Sequence, residues 1–177
     1  GGGGGRGASV ATGASAAATG RDSTAAEETP KADASFSGAP GTVPAAMLDA
    51  DSATGWSNAY RMTATAVLPE ISLAHARDWV SLSWPRARWI AGLEASFTTD
   101  GTHALPESVA VSYWKNGEYV PVDHLDVTWA DGSGEPTRIT FDPVRAGRVR
   151  LEMTSRHPHR PDGFLRIVRL APLPATS

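Results

Sequence analysis

Glu107–Val122 reads ESVAVSYWKNGEYVPV. Val109, Val111 and Tyr113 alternate with Ser108, Ala110, Ser112 and Trp114, the period of two that belongs to a half-buried strand. Lys115-Asn116-Gly117 comes next. An Asn-Gly pair accepts the two positive φ angles of a type I′ turn, so the chain is expected to reverse here as a tight hairpin. Tyr119, Val120 and Val122 continue on the return strand. Pro121 has no N–H to offer a neighbour, which puts the return strand at a sheet edge or at a bulge.

The same texture extends to both sides of the hairpin. Trp79–Trp84 places Val80, Leu82 and Trp84 on one face, and Pro85 is expected to end that strand. In Trp89–Thr98, the residues Trp89, Ala91, Leu93, Ala95 and Phe97 share a face, before the turn residues Thr99-Asp100-Gly101-Thr102. Leu125–Trp129 and Arg138–Phe141 are further strand candidates, with Asp131–Gly134 as a loop between them. Arg148–Thr154 turns Val149, Leu151 and Met153 inward against Arg148, Arg150 and Glu152. Phe164–Leu170 closes the domain. Towards the N-terminus, Ser35–Ser37 is a short strand candidate, Val43–Leu48 a single helical turn, and Tyr60–Leu68 a strand ended by Pro69. Roughly eight short strands separated by turn signals, with no long helix, predict an all-β fold: an antiparallel β-sandwich or jelly roll.

A chain of 177 residues with 41% hydrophobic content suffices for one domain and a tail. Its net charge of −3 argues against nucleic acid as a partner, which calls for a basic face. No cysteine is present, which excludes disulfides, a thiol nucleophile and a cysteine-ligated zinc site. No apolar run approaches the ~20 residues that cross a bilayer, so no membrane partner is expected. Gly1–Asp33 is dominated by Gly, Ala, Ser and Thr. Such a stretch buries too little to offset its ordering entropy and is read as a flexible linker, residues 1–33, tethering a sandwich over residues 34–177. The start at Gly, without an apolar signal core, reads as a piece of a longer chain whose export signal lies upstream.

Catalytic signatures are missing: there is no Gly-x-Ser-x-Gly elbow, phosphate loop or His-Glu-x-x-His pair. Glu94, Asp49, Asp51, Asp123 and Asp126 are read as surface charge and loop hydrogen-bonding groups. His157-Pro158-His159 lies between Arg156 and Arg160, whose charge opposes a metal cation. That basic loop suits an acceptor-rich or anionic partner better, such as a sugar hydroxyl, a uronate or a phosphate. Of the six tryptophans, Trp79, Trp84, Trp89 and Trp129 lie in strand patterns and are read as core; Trp56 lies in a loop. Trp114 sits beside the turn. Tyr60 is the better candidate for an exposed aromatic platform.

Taken in order, several segments resemble the galactose-binding-like sandwich, the fold of discoidin domains, coagulation-factor type C domains and many carbohydrate-binding modules. MLDADSATGWSN resembles that family's acidic first loop, which implies burial of Trp56, and WVSLSWP its Trp-led strand. LPESVAVSYWKNGEYVPV resembles its Tyr-Trp hairpin, and ITFDPVRAGRVRLEMTS with GFLRIVRL its closing strands. The resemblance covers Ala34 to about Leu170 and is nearest to modules appended to secreted bacterial glycoside hydrolases of the β-galactosidase type.

The resemblance implies a non-catalytic, secreted, carbohydrate-binding accessory module that holds a terminal sugar or short glycan weakly, partnered with the catalytic domain of its own parent chain. It implies ligand loops at one end of the sandwich: Asn58, Tyr60 and Arg61; Arg156, His157, His159 and Arg160; and His75 with Arg77. The family's final strand commonly carries a Glu that helps complete a structural calcium site with the acidic loop. Here the matching position is Arg169, which offers the ion no oxygen. No cofactor is therefore implied, and Arg169 is expected to serve Asp49 and Asp51 as countercharge. The rival reading is a spacer domain that packs on the catalytic domain and binds nothing; an extensive apolar patch would mark it.

Overall fold

The computed structural model describes residues 29–38, 42–48, 55–59, 73–130 and 135–175. Lys31–Ser83 and Ala87–Ser177 form one compact unit, to which Trp84–Arg86 do not belong. Eight strands are described: β1 (Lys31–Ala34), β2 (Trp56–Ser57), β3 (Arg77–Phe97), β4 (Ser108–Lys115), β5 (Glu118–Pro121), β6 (Asp126–Thr128), β7 (Thr137–Thr154) and β8 (Arg166–Pro174). The single helical turn expected after Val43 is a 3₁₀ turn, Pro44–Leu48. β1 begins at Lys31, inside the stretch whose composition reads as linker. The strand expected over residues 60–68 and the loops at residues 49–54 and 131–134 lie outside the described residues, as does the linker up to residue 28.

Two long strands organise the rest. β3 and β7 pair antiparallel from Arg77↔Thr154 to Ala95↔Thr137. The sequence breaks each of them in two, at Pro85 and after Phe141, yet each is continuous. What the prolines interrupt is the register: it shifts between Ser83 and Arg88, and again between Ile90 and Gly92. At these irregularities the strands pass from one layer to the other, as corner strands of a sandwich do.

The first half of β3 (residues 77–83) pairs with β1 on one side and the last part of β7 on the other; β7 then pairs with β4, and β4 with β5. That gives one layer in the order β1-β3-β7-β4-β5. The second half of β3 pairs with the start of β7 and with β8, while β7 takes β6 and β8 takes β2. The other layer therefore runs β2-β8-β3-β7-β6. The hairpin turn is as the Asn-Gly pair predicts: Asn116 has φ 51° and Gly117 φ 84°, with Lys115 opposite Glu118. Pro121 lies in β5, at the end of its layer, where a missing N–H leaves no ladder bond open.

The core fills the space between the layers. Val80, Leu82, Val111, Val149, Leu151 and Met153 come from the first layer, and Ile90, Leu93, Phe97, Ile139 and Ile167 from the second; all are buried. Trp56 is fully buried, as the resemblance implied, and its indole N–H donates to the Phe36 carbonyl. Three other tryptophans contradict the core assignment: Trp89 is 55% exposed, Trp129 is 40% exposed, and Trp79 stands half-buried on the outer sheet face, out of phase with the buried Val80 and Leu82. The register shift explains Trp89. Leu93, Ala95 and Phe97 keep their inward phase, but the irregularity between Ile90 and Gly92 resets the alternation, so that Ile90 points inward instead of Trp89. Trp129 follows the end of the short β6, where no strand continues to hold its phase.

Gly92 makes this irregularity possible. A Cβ there would lie 2.3 Å from the Ile139 carbonyl oxygen and 3.0 Å from Leu173 Cδ1. Gly92→Ala is therefore expected to cost about 1–3 kcal/mol of unfolding free energy, measured by denaturant titration. An unchanged midpoint would mean that the close approach of β3 to β7 is not required.

Candidate functional site

The end of the sandwich where β3 begins and β7 finishes collects most of the polar loop residues. Ser155 terminates β7 and donates its N–H to the Ala76 carbonyl at 2.8 Å. The Arg-His-Pro loop then folds back on the segment before β3. His159 N–H donates to the Ala74 carbonyl at 2.8 Å, and Ala74 N–H to the Arg160 carbonyl at 2.9 Å. His159 adopts a positive φ of 62°, and Gly163 lets the loop close, because a Cβ there would sit 2.1 Å from the His157 carbonyl oxygen. Ser155 Oγ donates to the Gly163 carbonyl at 2.7 Å and accepts from His157 N–H at 3.2 Å. Short backbone and hydroxyl bonds thus bring His75, His157, His159 and Arg160 to one rim.

Beneath the rim lies Asp78, only 6% exposed. Its carboxylate accepts from Ser35 Oγ at 2.6 Å, from Asn58 Nδ2 at 2.8 Å and from His75 Nδ1 at 2.9 Å. Three donors around one buried carboxylate satisfy it in place of water. The bond to Asp78 also sets the His75 ring: Nδ1 is committed to the carboxylate, and Nε2 is left over on a side chain that is 38% exposed. Phe36 packs edge-on against the same ring, 4.9 Å between centroids. His75 is thereby ordered yet open on one side.

Asn58 does not join the rim. It is 1% exposed, and besides its bond to Asp78 its Oδ1 accepts from Leu165 N–H at 2.7 Å. A buried amide that spans two elements is a tie, not a ligand contact. Arg77 also leaves the expected group: as the first residue of β3 it lies on the outer sheet face, with Glu152 at 3.5 Å. Arg156 is at the loop end but partly engaged, with Nε at 3.4 Å from the Leu105 carbonyl and Nη1 at 3.9 Å from Glu107. Arg160 pairs with Asp162 at 2.9 Å. Tyr60 and Arg61 lie outside the described residues, as do Asp49 and Asp51. Arg169 stands in β8 beside Glu94, Ser96, Pro136 and Ala171. Among the described residues, no three His, Asp or Glu side chains gather to hold a metal ion.

A second polar tie escapes sequence reasoning. Ser57 Oγ lies 2.9 Å from His103 Nε2, and His103 Nδ1 lies 2.9 and 3.1 Å from the two Asp100 oxygens. The order Ser-His-Asp is that of a nucleophilic triad, but Ser57 is 3% exposed and its Oγ already accepts from Ala59 N–H at 3.0 Å. A nucleophile must be reachable, so these residues act as a clamp. They fix the turn after β3 to β2, while Phe164 N–H and Ala104 N–H bond the same turn to the entry of β8. Burial pushes the Asp100 carboxyl upward, but the Thr102 and His103 backbone N–H groups and the His103 ring outweigh it and hold it well below the usual range. The only hint in the sequence is the Asp-x-x-His spacing, which reads equally well as a plain turn.

Two measurements check these ties. Asn58→Ala should lower stability by roughly 2–4 kcal/mol, because it strips a donor from Asp78 and an acceptor from a buried N–H. Asp100 is depressed in the folded chain, so its stabilising effect is complete above the ordinary value of 3.8 and is lost as pH falls below it. The melting-temperature gap between the wild type and Asp100→Asn should thus shrink as pH is lowered from about 6 to about 3. A gap that widens on acidification would contradict the assignment.

No family model matches the sequence, and no curated protein does. Solved structures do match in fold. A chain of Streptococcus pneumoniae β-galactosidase BgaA superposes with a TM-score of 0.64 at 16% identity, covering 82% of this chain and 92% of that one. The family 32 carbohydrate-binding module of C. perfringens NanJ, solved with galactose, gives 0.60 at 17% identity, covering 81% and 93%. A Clostridium perfringens module, CpGH89CBM32-5, solved with GalNAc-β-1,3-galactose, gives 0.57 at 12% identity, covering 82% and 95%. The chain has the galactose-binding-like β-sandwich fold that these carbohydrate-binding modules share.

Proposed function

We propose that this chain is a non-catalytic carbohydrate-binding accessory module of a secreted multidomain glycoside hydrolase, and that it holds a terminal sugar or short glycan at the rim formed by His75, His157, His159 and Arg160. The observation that carries the reading is the pair of backbone hydrogen bonds between Ala74 and the His159-Arg160 segment. They join two loops into one polar edge. The edge offers an imidazole ring fixed by Asp78 and a guanidinium held by Asp162. Fixed polar groups of this kind suit the hydroxyls of a sugar ring.

The neighbouring folds favour this ligand class. The NanJ module was solved with galactose, and a chitosan-binding module from Paenibacillus sp. IK-5, with a TM-score of 0.57 at 13% identity, was solved with chitotriose. A shallow edge with few contacts binds weakly, and the benefit comes from the tether: a linked catalytic domain meets the same substrate at a raised effective concentration. The catalytic domain of the parent chain is then the module's working partner, and the site of action is extracellular.

The test is retention on immobilised galactose, N-acetylgalactosamine and chitooligosaccharide. Arg160→Ala combined with His159→Asn, which keeps a residue tolerant of the positive φ, should lower retention several-fold while stability stays within about 0.5 kcal/mol. A wild-type chain that is retained on none of these sugars would overturn the reading.

A further inference from the structure

The outer face of the β1-β3-β7-β4-β5 layer carries side chains that the rim does not use. Inward Val80, Leu82, Val149 and Leu151 force their neighbours Trp79, Ser81, Arg148 and Arg150 outward. The Arg150 guanidinium lies 4.1 Å from the Trp79 ring centroid and 4.0 Å from that of Tyr119. Arg148 stands 5.1 Å over Trp114, which is 39% exposed and meets Tyr119 edge-on at 5.0 Å. Aromatic and cationic groups therefore alternate across the sheet. Between them the floor is low, because Ser81 and Ser83 carry short side chains. Two cavities result, of about 420 and 310 Å³, and both are lined by Trp79 and Arg150. Each is of a size that holds a small ligand.

The charges on this face are not balanced from within. Lys31, Arg148 and Arg150 line the larger cavity against the single acid Asp33. Among the described residues neither arginine has a carboxylate partner, and the Arg150 Nε is buried with no hydrogen-bond acceptor. A buried donor without an acceptor costs free energy. Two rings order this guanidinium at the edge of both cavities, where a planar anion can approach its charge.

We propose that this face is a second binding site, distinct from the rim, for an extended glycan that carries carboxylates. Arg150 and Arg148 take the uronate groups, while Trp79 and Trp114 meet the C–H faces of the sugar rings. The layer spans four inter-strand spacings of ~4.8 Å, roughly 19 Å, which is longer than one ring and selects an internal stretch of chain over a terminus. Single-stranded nucleic acid also pairs stacking with cations, but it brings a phosphate at every step. Asp33 and Glu152 on this face, and the chain's net charge of −3, oppose that.

The experiment is calorimetric titration of the full chain with a galacturonate hexamer, a neutral galactose hexamer, a sulfated galactose hexamer and a single-stranded oligonucleotide. The galacturonate hexamer should bind most tightly, lose affinity as salt is raised, and bind Arg150→Ala and Arg148→Ala at least about tenfold more weakly. Melting temperatures report whether each variant folds; Arg148, at the edge of the cavity, keeps the test open should Arg150→Ala unfold. Arg160→Ala reads the rim separately: uronate binding that falls in this rim variant but not in the Arg150 and Arg148 variants would also overturn the proposal. Equal uronate affinity in wild type and both arginine variants, equal affinity for the neutral hexamer, or tighter binding of the sulfated hexamer or the oligonucleotide would each overturn the proposal.

Discussion

The antiparallel ladder between β3 and β7 is the constraint on which everything else rests. Because the two strands share a register from Arg77↔Thr154 onward, one phase of side chains is committed to the core and the other to the surface. A slip by one residue would bury Arg150 and expose Leu151. The same ladder crosses both layers, so a single pair of strands fixes the first sheet, the second sheet and the corners between them. It also places the beginning of β3 beside the end of β7, and the loops that leave those two points form the rim.

Side-chain polarity at that end is used first for structure. Asp78 gathers donors from Ser35, Asn58 and His75, and His103 joins Ser57 to Asp100. In a protein without disulfides, such ties hold loops that the apolar core does not reach. They also decide which polar residues remain available. Asn58 is spent on the interior, whereas His75 has one nitrogen committed and one left over. The outer sheet face is different: there the polar residues are ordered by stacking on rings, and Arg150 keeps an unmet donor.

Much of this was legible in the residues. Asn116-Gly117 announces its turn because few dipeptides tolerate two positive φ angles, and the inward phase of Val149, Leu151 and Met153 follows from alternation alone. Pro85 misleads, since a missing N–H reads as a strand end when it can equally mark a bulge within a longer strand. Trp89 misleads for the same reason: alternation is a local rule, and a register shift downstream resets it. The rim was partly legible, as a loop dense in Arg and His. The burial of Asn58 was not, because it depends on Asp78, twenty residues away along the chain, and on Leu165, more distant still. Stacking of Arg150 between Trp79 and Tyr119 joins three strands, and no window of sequence contains all three.

The account stands or falls on two separate recognition surfaces on one rigid ladder. Backbone amide NMR shifts of the labelled chain, recorded while a galactose-terminated disaccharide and then a galacturonate hexamer are added, test this most directly. The account predicts that the disaccharide moves amides within residues 74–76 and 156–162, and that the hexamer moves those within 79–83 and 148–152. Spectra in which neither ligand shifts either set, or in which both ligands shift only one and the same set, would contradict it.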